Sequence, residues 1–330
     1  MADVVVSELW RFPVKSMGGQ RVDDVRVDRR GVHADRLWAV RDVEKGVTAS
    51  ARRIPALLGC SAAYVSDPGP GAGPGAVPEV SITLPDGTQC SSSDGAVHGL
   101  LSELAGREVR LVALPPADDT SQHRMSMADS LDNFRASQVR KDFGLGDTEE
   151  LPDTSVFSTK DIITLARFST PPGTFVDLAP VHVLSTASLA SLAGGDAPHD
   201  VRRFRPNVLV DVGTADEDFP ETSWVGGDVQ IGSAALHVTI PTIRCVVATR
   251  PQPGLERDGR ITRQLAERTN RFLGVYADVT RPGVIRVGDV VTVRSGRPPS
   301  AAQRVLSAVE KAATRQVQRV LEATVLREKG

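Results

Sequence analysis

Cysteine is nearly missing from this chain: Cys60, Cys90 and Cys245 are the only three in 330 residues. An odd, sparse set without Cys-x-x-Cys spacing argues against a disulfide framework and a thiolate zinc site, and for a reducing compartment. An excess of either charge is lacking too. The 39 Lys and Arg are matched by 41 Asp and Glu, so no global field gathers nucleic acid or an anionic membrane, and any anion site has to be local. No apolar run approaches the roughly 18 residues that a spanning helix needs. After Met-Ala-Asp the chain enters Val4–Trp10 without a signal-peptide h-region. The expected setting is a soluble cytoplasmic protein. Several familiar chemistries are also absent: no G-x-S-x-G elbow, no Walker loop, no G-x-G-x-x-G opening a helix and no H-E-x-x-H. The six histidines are scattered without ligand spacing, and His182, in an apolar strand, reads as a hydrogen-bonded core residue.

What is present is β-rich. The length suggests one large or two ordinary domains at about 150 residues each. Short valine- and leucine-rich runs punctuated by glycine predict strands over 4–10, 21–28, 37–41, 62–65, 80–84 and 109–112. A helix is expected over 95–105, stopped by Gly106. The Pro-Gly tract at 67–78 has almost nothing to bury and reads as a flexible hairpin loop. Residues 115–175 are less regular, with one helix expected near 130–143; such a segment is either a binding lid or a disordered connection. Strands return at 181–184, 208–212, 229–231, 235–240, 245–249 and 284–293, with helices over 185–192 and 261–273. Ala302, Leu306, Val309, Ala313, Val317 and Val320 recur at three- or four-residue steps, so 300–326 is expected to be an amphipathic helix. It packs on its own barrel or makes a homodimer contact. The fold class is mainly β with some α (α+β), and the expected division is 1–114, 115–175, 176–298 and 299–330.

Two windows carry chemistry. In Ile240-Pro-Thr-Ile-Arg-Cys-Val-Val-Ala-Thr249, Arg244 stands beside Cys245 at the junction of two β-rich runs. A thiol is a nucleophile or metal ligand only as thiolate, which a neighbouring guanidinium favours. Successive strand residues point to opposite faces, so the two converge only where the backbone is irregular, and Pro241 invites that. Read alone, Cys245 is first a small buried strand residue and only second a reactive thiol. In Val201-Arg-Arg-Phe-Arg-Pro-Asn-Val208, extended geometry places Arg203, Arg205 and Asn207 on one face, able to hold a phosphate or carboxylate; the alternative is a solvated basic edge strand. Lys15 and Ser16, in a glycine-bearing turn, and Arg36, before a strand, add donors of the same kind.

In this order, Pro13-Val-Lys-Ser16, Asp35-Arg-Leu-Trp38, Arg203-Phe-Arg-Pro-Asn207, Arg244-Cys245, Phe272-Leu-Gly-Val-Tyr-Ala-Asp278 and Ile285-Arg-Val-Gly-Asp289 resemble the MOSC family over about residues 4–294. The resemblance implies an N-terminal β-barrel domain and a MOSC β-barrel domain with a molybdenum cofactor, a phosphate-bearing pyranopterin dithiolene, between them. It implies Cys245 as the molybdenum ligand, with Lys15, Ser16, Arg36, Arg203, Arg205, Asn207 and Arg244 around the cofactor. The implied activity is a molybdenum-dependent reductase of small N-hydroxylated compounds; pyridoxal phosphate is not expected. Some relatives carry a C-terminal iron–sulfur domain, but no cysteine follows Cys245, so a separate electron-transfer protein is expected. The rival implied role is a sulfur carrier with a Cys245 persulfide, and a third is a non-catalytic anion-binding module. Where reductase relatives show Thr-Ala-Arg, this chain reads Thr48-Ala-Ser50, with Arg52 and Arg53 just after.

Overall fold

The computed structural model describes residues 4–213 and 217–294. The helix expected over 300–326, and the dimer contact assigned to it, lie outside them. Within them the protein is α+β, dominated by sheet. Its largest sheet has eight strands, in the order Val291–Arg294, Asp228–Ile231, Ala234–Ile243, Phe272–Arg281, Val181–Ser185, Val208–Asp211, Val5–Arg11 and Gln20–Val22. Neighbours run antiparallel except Val181–Ser185 and Val208–Asp211, which are parallel and joined through the helix Thr186–Ala193. Val181–Ser185 is buried at every position, as a central strand covered on both faces should be. Its last residue, Ser185, caps the following helix by accepting from Ser188 N, and Gly194 closes that helix at φ 65°.

The parts of the chain on either side of the expected break at residue 114 share strand pairing and core. Val5–Arg11 pairs with Val208–Asp211, and Asp24–Asp28 pairs with Gly283–Arg286. Val6, Leu9, Val25, Val27 and Val32 are therefore buried in one core with Val183, Val210, Val238, Val275 and Ile285. The reason is visible in Asp24–Asp28, whose Val25 and Val27 alternate with exposed neighbours and need an apolar face that the second half provides. A second core joins Val14, Met17, Val40, Leu57, Ile82 and Leu101 to Phe175.

Four local expectations need correction. Residues 245–249 are not a strand: the ladder ends with Ile243 opposite Phe272, and Val246–Thr249 is a 3-10 turn. The stretch 201–207 is not extended either. Val201–Arg203 is a 3-10 turn capped by Asp200, Arg205 is left-handed at φ 56°, and the strand begins at Val208. The helix of 261–273 is Arg260–Thr269; left-handed Asn270 and Arg271 end it, and the buried alternation Leu273, Val275, Ala277 belongs to the strand Phe272–Arg281. In the middle of the chain, the single helix expected near 130–143 is two, Met127–Phe134 and Ala136–Phe143, broken at the extended Arg135. A further helix, Thr159–Arg167, starts at a capping box formed by Ser158 and Asp161.

Candidate functional site

The segment 125–177 closes one side of a cleft of about 810 Å³ whose other walls come from residues 15–58 and from the second half of the chain. All eight side chains singled out in the sequence line it: Lys15, Ser16, Arg36, Arg203, Arg205, Asn207, Arg244 and Cys245. Three of them, Ser16, Arg36 and Arg205, have left-handed φ values of 71°, 51° and 56°. Such backbone costs about 1–2 kcal/mol per non-glycine residue and persists where the surroundings impose it.

Each position has a local cause. Val5–Arg11 ends at Phe12, whose N–H donates to Asp35 Oδ1 at 2.7 Å, while Arg36 N donates to Phe12 O at 2.6 Å. That pins the Lys15 turn against Arg36, and Arg36 Nη1 donates to Asp35 Oδ2. The Arg36 and Arg205 guanidiniums both lie over the Phe12 ring, at 5.0 and 4.3 Å. Arg205 Nη1 also donates to Met17 O at 2.5 Å, whereas its buried Nη2 has no partner. Lys15 Nζ donates to Phe175 O at 3.1 Å and to Asp177 Oδ1 at 2.5 Å. Ser16 Oγ accepts from Ala51 N at 2.9 Å.

Cys245 stands two residues past the end of its ladder, just after Arg244, whose N donates to Arg271 O at 2.8 Å. The irregular backbone that a convergence of Arg244 and Cys245 requires is present, with register shifts on either side of Ile240–Pro241. Arg244 Nη2 donates to Phe204 O at 2.6 Å, and Nη1 approaches His182 Nε2 at 3.5 Å. His182 is a hydrogen-bonded core residue, as read, and also touches the cleft. Burial, then Arg244, drives its pKa well below the ordinary value, so the ring is neutral. Gly274 makes room for it: a Cβ there would fall 2.5 Å from His182 Nε2.

Arg203 and Asn207 line the cleft but are bonded to backbone. Arg203 donates to the carbonyls of Ala248, Arg250 and Glu256 at 3.4, 3.3 and 2.6 Å, which fixes the turn after Cys245. Asn207 Oδ1 accepts from His182 N at 3.2 Å, and Nδ2 donates to Trp10 O at 3.3 Å, stitching three strands.

Three residues not chosen from the sequence complete the site. Arg52 enters the cleft with 43% of its side chain exposed and pairs with Asp142 at 3.1 Å. Burial alone would lower its guanidinium, but Cys245, Asp142 and Asp177 together raise it. Asp177 is 67% exposed to the cleft; burial would raise it, yet Lys15, Arg36 and Arg52 hold its carboxyl far below the ordinary range. Tyr276 is pushed up to about 12 by burial and then by Asp177, so its hydroxyl keeps its proton at neutral pH. Burial also lowers Lys15 and Arg244, and takes Arg205 down to about 9. Arg52 was within two residues of a recognised motif and Tyr276 inside one, whereas Asp177 sits in irregular chain and gives no periodic signal.

The charge pattern is unbalanced. Arg36 has Asp35, Lys15 has Asp177, and Arg52 and Arg53 share Asp142. Among the described residues, Arg205 and Arg244 have no carboxylate partner in ion-pair contact. A buried guanidinium without a counter-charge is unfavourable by several kcal/mol, and an anionic ligand relieves that.

Comparison with known proteins places the whole chain. Over 306 residues the chain is 26% identical to mitochondrial amidoxime reducing component 2 of Bos taurus, covering 87% of this chain and 82% of that protein. It is 26% identical over 318 residues to mitochondrial amidoxime-reducing component 1 of Homo sapiens, with the same two shares of coverage. A YuaD protein from Bacillus subtilis overlays 90% of this chain and 98% of its own at 13% identity, with a TM-score of 0.40, too loose a match to bear on the site. No helix among the described residues is long and apolar enough to cross a membrane. Residues 3–85 match the MOSC N-terminal beta barrel domain and residues 171–292 the MOSC domain, so the chain belongs to the MOSC family, with both domains present.

Proposed function

We propose that the cleft holds a molybdenum cofactor with the Cys245 thiolate as the protein's ligand to the metal, and that the protein reduces N-hydroxylated compounds. The observation that carries this is the pair of buried guanidiniums, Arg205 and Arg244, without carboxylates, one of them with Nη2 unbonded. That arrangement fits a phosphate-bearing, anionic ligand. A single soft thiol on the same wall fits a metal that brings its other ligands with it. The cleft volume of about 810 Å³ leaves room for cofactor and substrate together. The relatives named for amidoxime reduction support an N–O bond as the one broken.

When bound, the cofactor supplies a two-electron redox centre. The chain's own groups do the rest. Arg205 and Arg244 bind the anionic part, and Lys15, Ser16 and Arg36 line it. Arg203 holds the turn that presents Cys245, and neutral His182 steadies Arg244. Tyr276 Oη offers a proton-bearing hydroxyl to the same space. Converting N–OH to N–H consumes two electrons and two protons and releases water. With three cysteines, fewer than the four that hold a plant-type iron–sulfur cluster, the chain takes its electrons from a separate electron-transfer protein.

Protein made in a cofactor-competent host should contain near-stoichiometric molybdenum, lost in Cys245→Ala, and should reduce an amidoxime when given electrons. Metal-free protein with a cyanide-labile sulfur on Cys245 would instead make it a sulfur carrier, and neither metal nor sulfur would leave an anion-binding module.

A further inference from the structure

The cleft lining is of two kinds, for besides its cations the segment 125–168 contributes Phe134, Val139, Phe143, Leu165 and Phe168 to it. Each of these large apolar side chains is only partly buried. The acids that share this wall are already occupied: Asp142 by Arg52 and Arg53, Asp132 by Arg135, and Asp129 by Ser126. The wall therefore offers apolar surface between acids that are each hydrogen-bonded or ion-paired.

It also adjoins the reactive centre. Helix Ala136–Phe143 packs on the turn Val246–Thr249 that follows Cys245. A Cβ on Gly144, at the end of that helix, would meet Val246 Cγ2 at 3.5 Å. Val139 and Phe143 are four residues apart, on one helix face. The wall is held in place by Arg53, which donates to Asp142 Oδ1 at 2.9 Å and to Asn133 Oδ1 at 2.6 Å, and by Ser130 Oγ donating to Ala166 O at 2.5 Å.

We infer that this wall is the substrate side of the cleft and selects neutral, flat, ring-bearing N-hydroxylated compounds over small polar ones, with Phe134 and Phe143 as specificity-determining residues. The N-hydroxy part of that statement rests on the proposed reductase function; the ring part rests on the wall. Apolar surface left in water is stabilised when a ring covers it, and phenylalanine offers offset or edge contacts to such a ring. A cationic compound would meet Arg52, Arg53 and Arg244, and an anionic one would compete for the guanidiniums that the cofactor neutralises, so neutrality is selected as well.

The test uses molybdenum-loaded protein, an aryl amidoxime, N-hydroxyurea, and benzamide as a neutral ring that cannot be reduced at nitrogen in this way. In Phe134→Ser and Phe143→Ser the aryl amidoxime KM should rise about ten-fold, while the KM for N-hydroxyurea stays within about two-fold. Molybdenum content should not change, and Phe→Leu at either position should restore most of the loss. Benzamide binding, measured by calorimetry, should weaken in parallel. Equal KM changes for both compounds, or benzamide binding untouched by either serine variant, overturns the inference even if reduction proceeds. Benzamide binding that follows the variants in a protein that reduces neither compound supports the wall and removes the reductase reading instead.

Discussion

Arg205→Met should make the cofactor-free protein more stable while weakening its hold on anions. The guanidinium has its pKa moved from 12.5 down to about 9, by burial first and then by Arg36. At about 1.4 kcal/mol per unit, the charged form is disfavoured in the fold by about 5 kcal/mol. Methionine would forfeit the charge-assisted bond to Met17 O at 2.5 Å, about 2 kcal/mol, and the contact over Phe12 at 4.3 Å, about 1 kcal/mol. The balance is about 2 kcal/mol in favour of the variant, a rise of a few degrees in Tm. The sign depends on pH in a defined way. Below pH about 9 the guanidinium is charged in folded and unfolded chains alike and the full penalty applies; above it the folded chain releases the proton and the gap closes towards 12.5. The assay is thermal unfolding of cofactor-free protein at pH 7.5, with and without inorganic phosphate. Wild type should gain stability with phosphate, by about 2.7 kcal/mol at a hundred times Kd, and the variant should not. A variant that melts lower without ligand, yet keeps the phosphate response, would refute the reasoning, because Arg205 would then be a structural residue.

Other expectations follow from the same contacts. Gly274→Ala adds a Cβ 2.5 Å from His182 Nε2 and 2.8 Å from Val183 O at a φ of +77°. It should lower stability by about 2–4 kcal/mol in urea unfolding and weaken phosphate binding through the His182–Arg244 contact. Asp142→Asn removes the carboxylate shared by Arg52 and Arg53. With both arginines partly in solvent the loss should be about 1–2 kcal/mol, accompanied by faster proteolytic cleavage within 144–156. His182 gives a pH signature. Above its ordinary 6.5 the ring is neutral folded and unfolded; below 6.5 the unfolded chain takes up a proton that the folded one refuses, so stability falls as pH falls. The slope should reach at most about 1.4 kcal/mol per pH unit in urea midpoints, and His182→Gln should remove it.

Much of the strand content was legible because burial on one face leaves a period of two, as in Asp24–Asp28, and because turns carry their own residues. Helix Thr186–Ala193 was legible from its Ser185 cap and Gly194 stop. The failures share a cause in that period and propensity speak for a segment and not for what lies across from it. Cys245–Thr249 has the valines of a strand, yet Phe272 is the last residue available to pair, and Arg203 takes the carbonyls that a ladder would have used. Residues 201–207 looked extended because alternation of charge and ring suits a strand, while left-handed Arg205 breaks it. Of the candidate site, the residue types were legible to the extent that Lys15, Ser16, Arg36, Arg205, Arg244 and Cys245 line one cleft. Asp177 was not, because a lone acid in irregular chain has meaning only beside Lys15.

The way these residues meet explains why the halves of the chain are not packed as separate units. Phe12 to Ser16 follow directly from Val5–Arg11, and Arg205 lies three residues before Val208, the first of Val208–Asp211. Those two strands are paired, with Leu9 opposite Val208 and Trp10 N donating to Asn207 O at 2.9 Å. The distance from the Lys15 turn to Arg205 is therefore set by a backbone ladder. Had Val5–Arg11 paired within residues 1–114, the same cations would depend on an interface between domains, which tolerates sliding. A site that must hold like charges close together before its ligand arrives needs the more rigid arrangement, because mutual repulsion of Arg36, Arg205 and Arg244 would otherwise open it. The left-handed backbone at Ser16, Arg36 and Arg205 is the local strain that this rigidity permits.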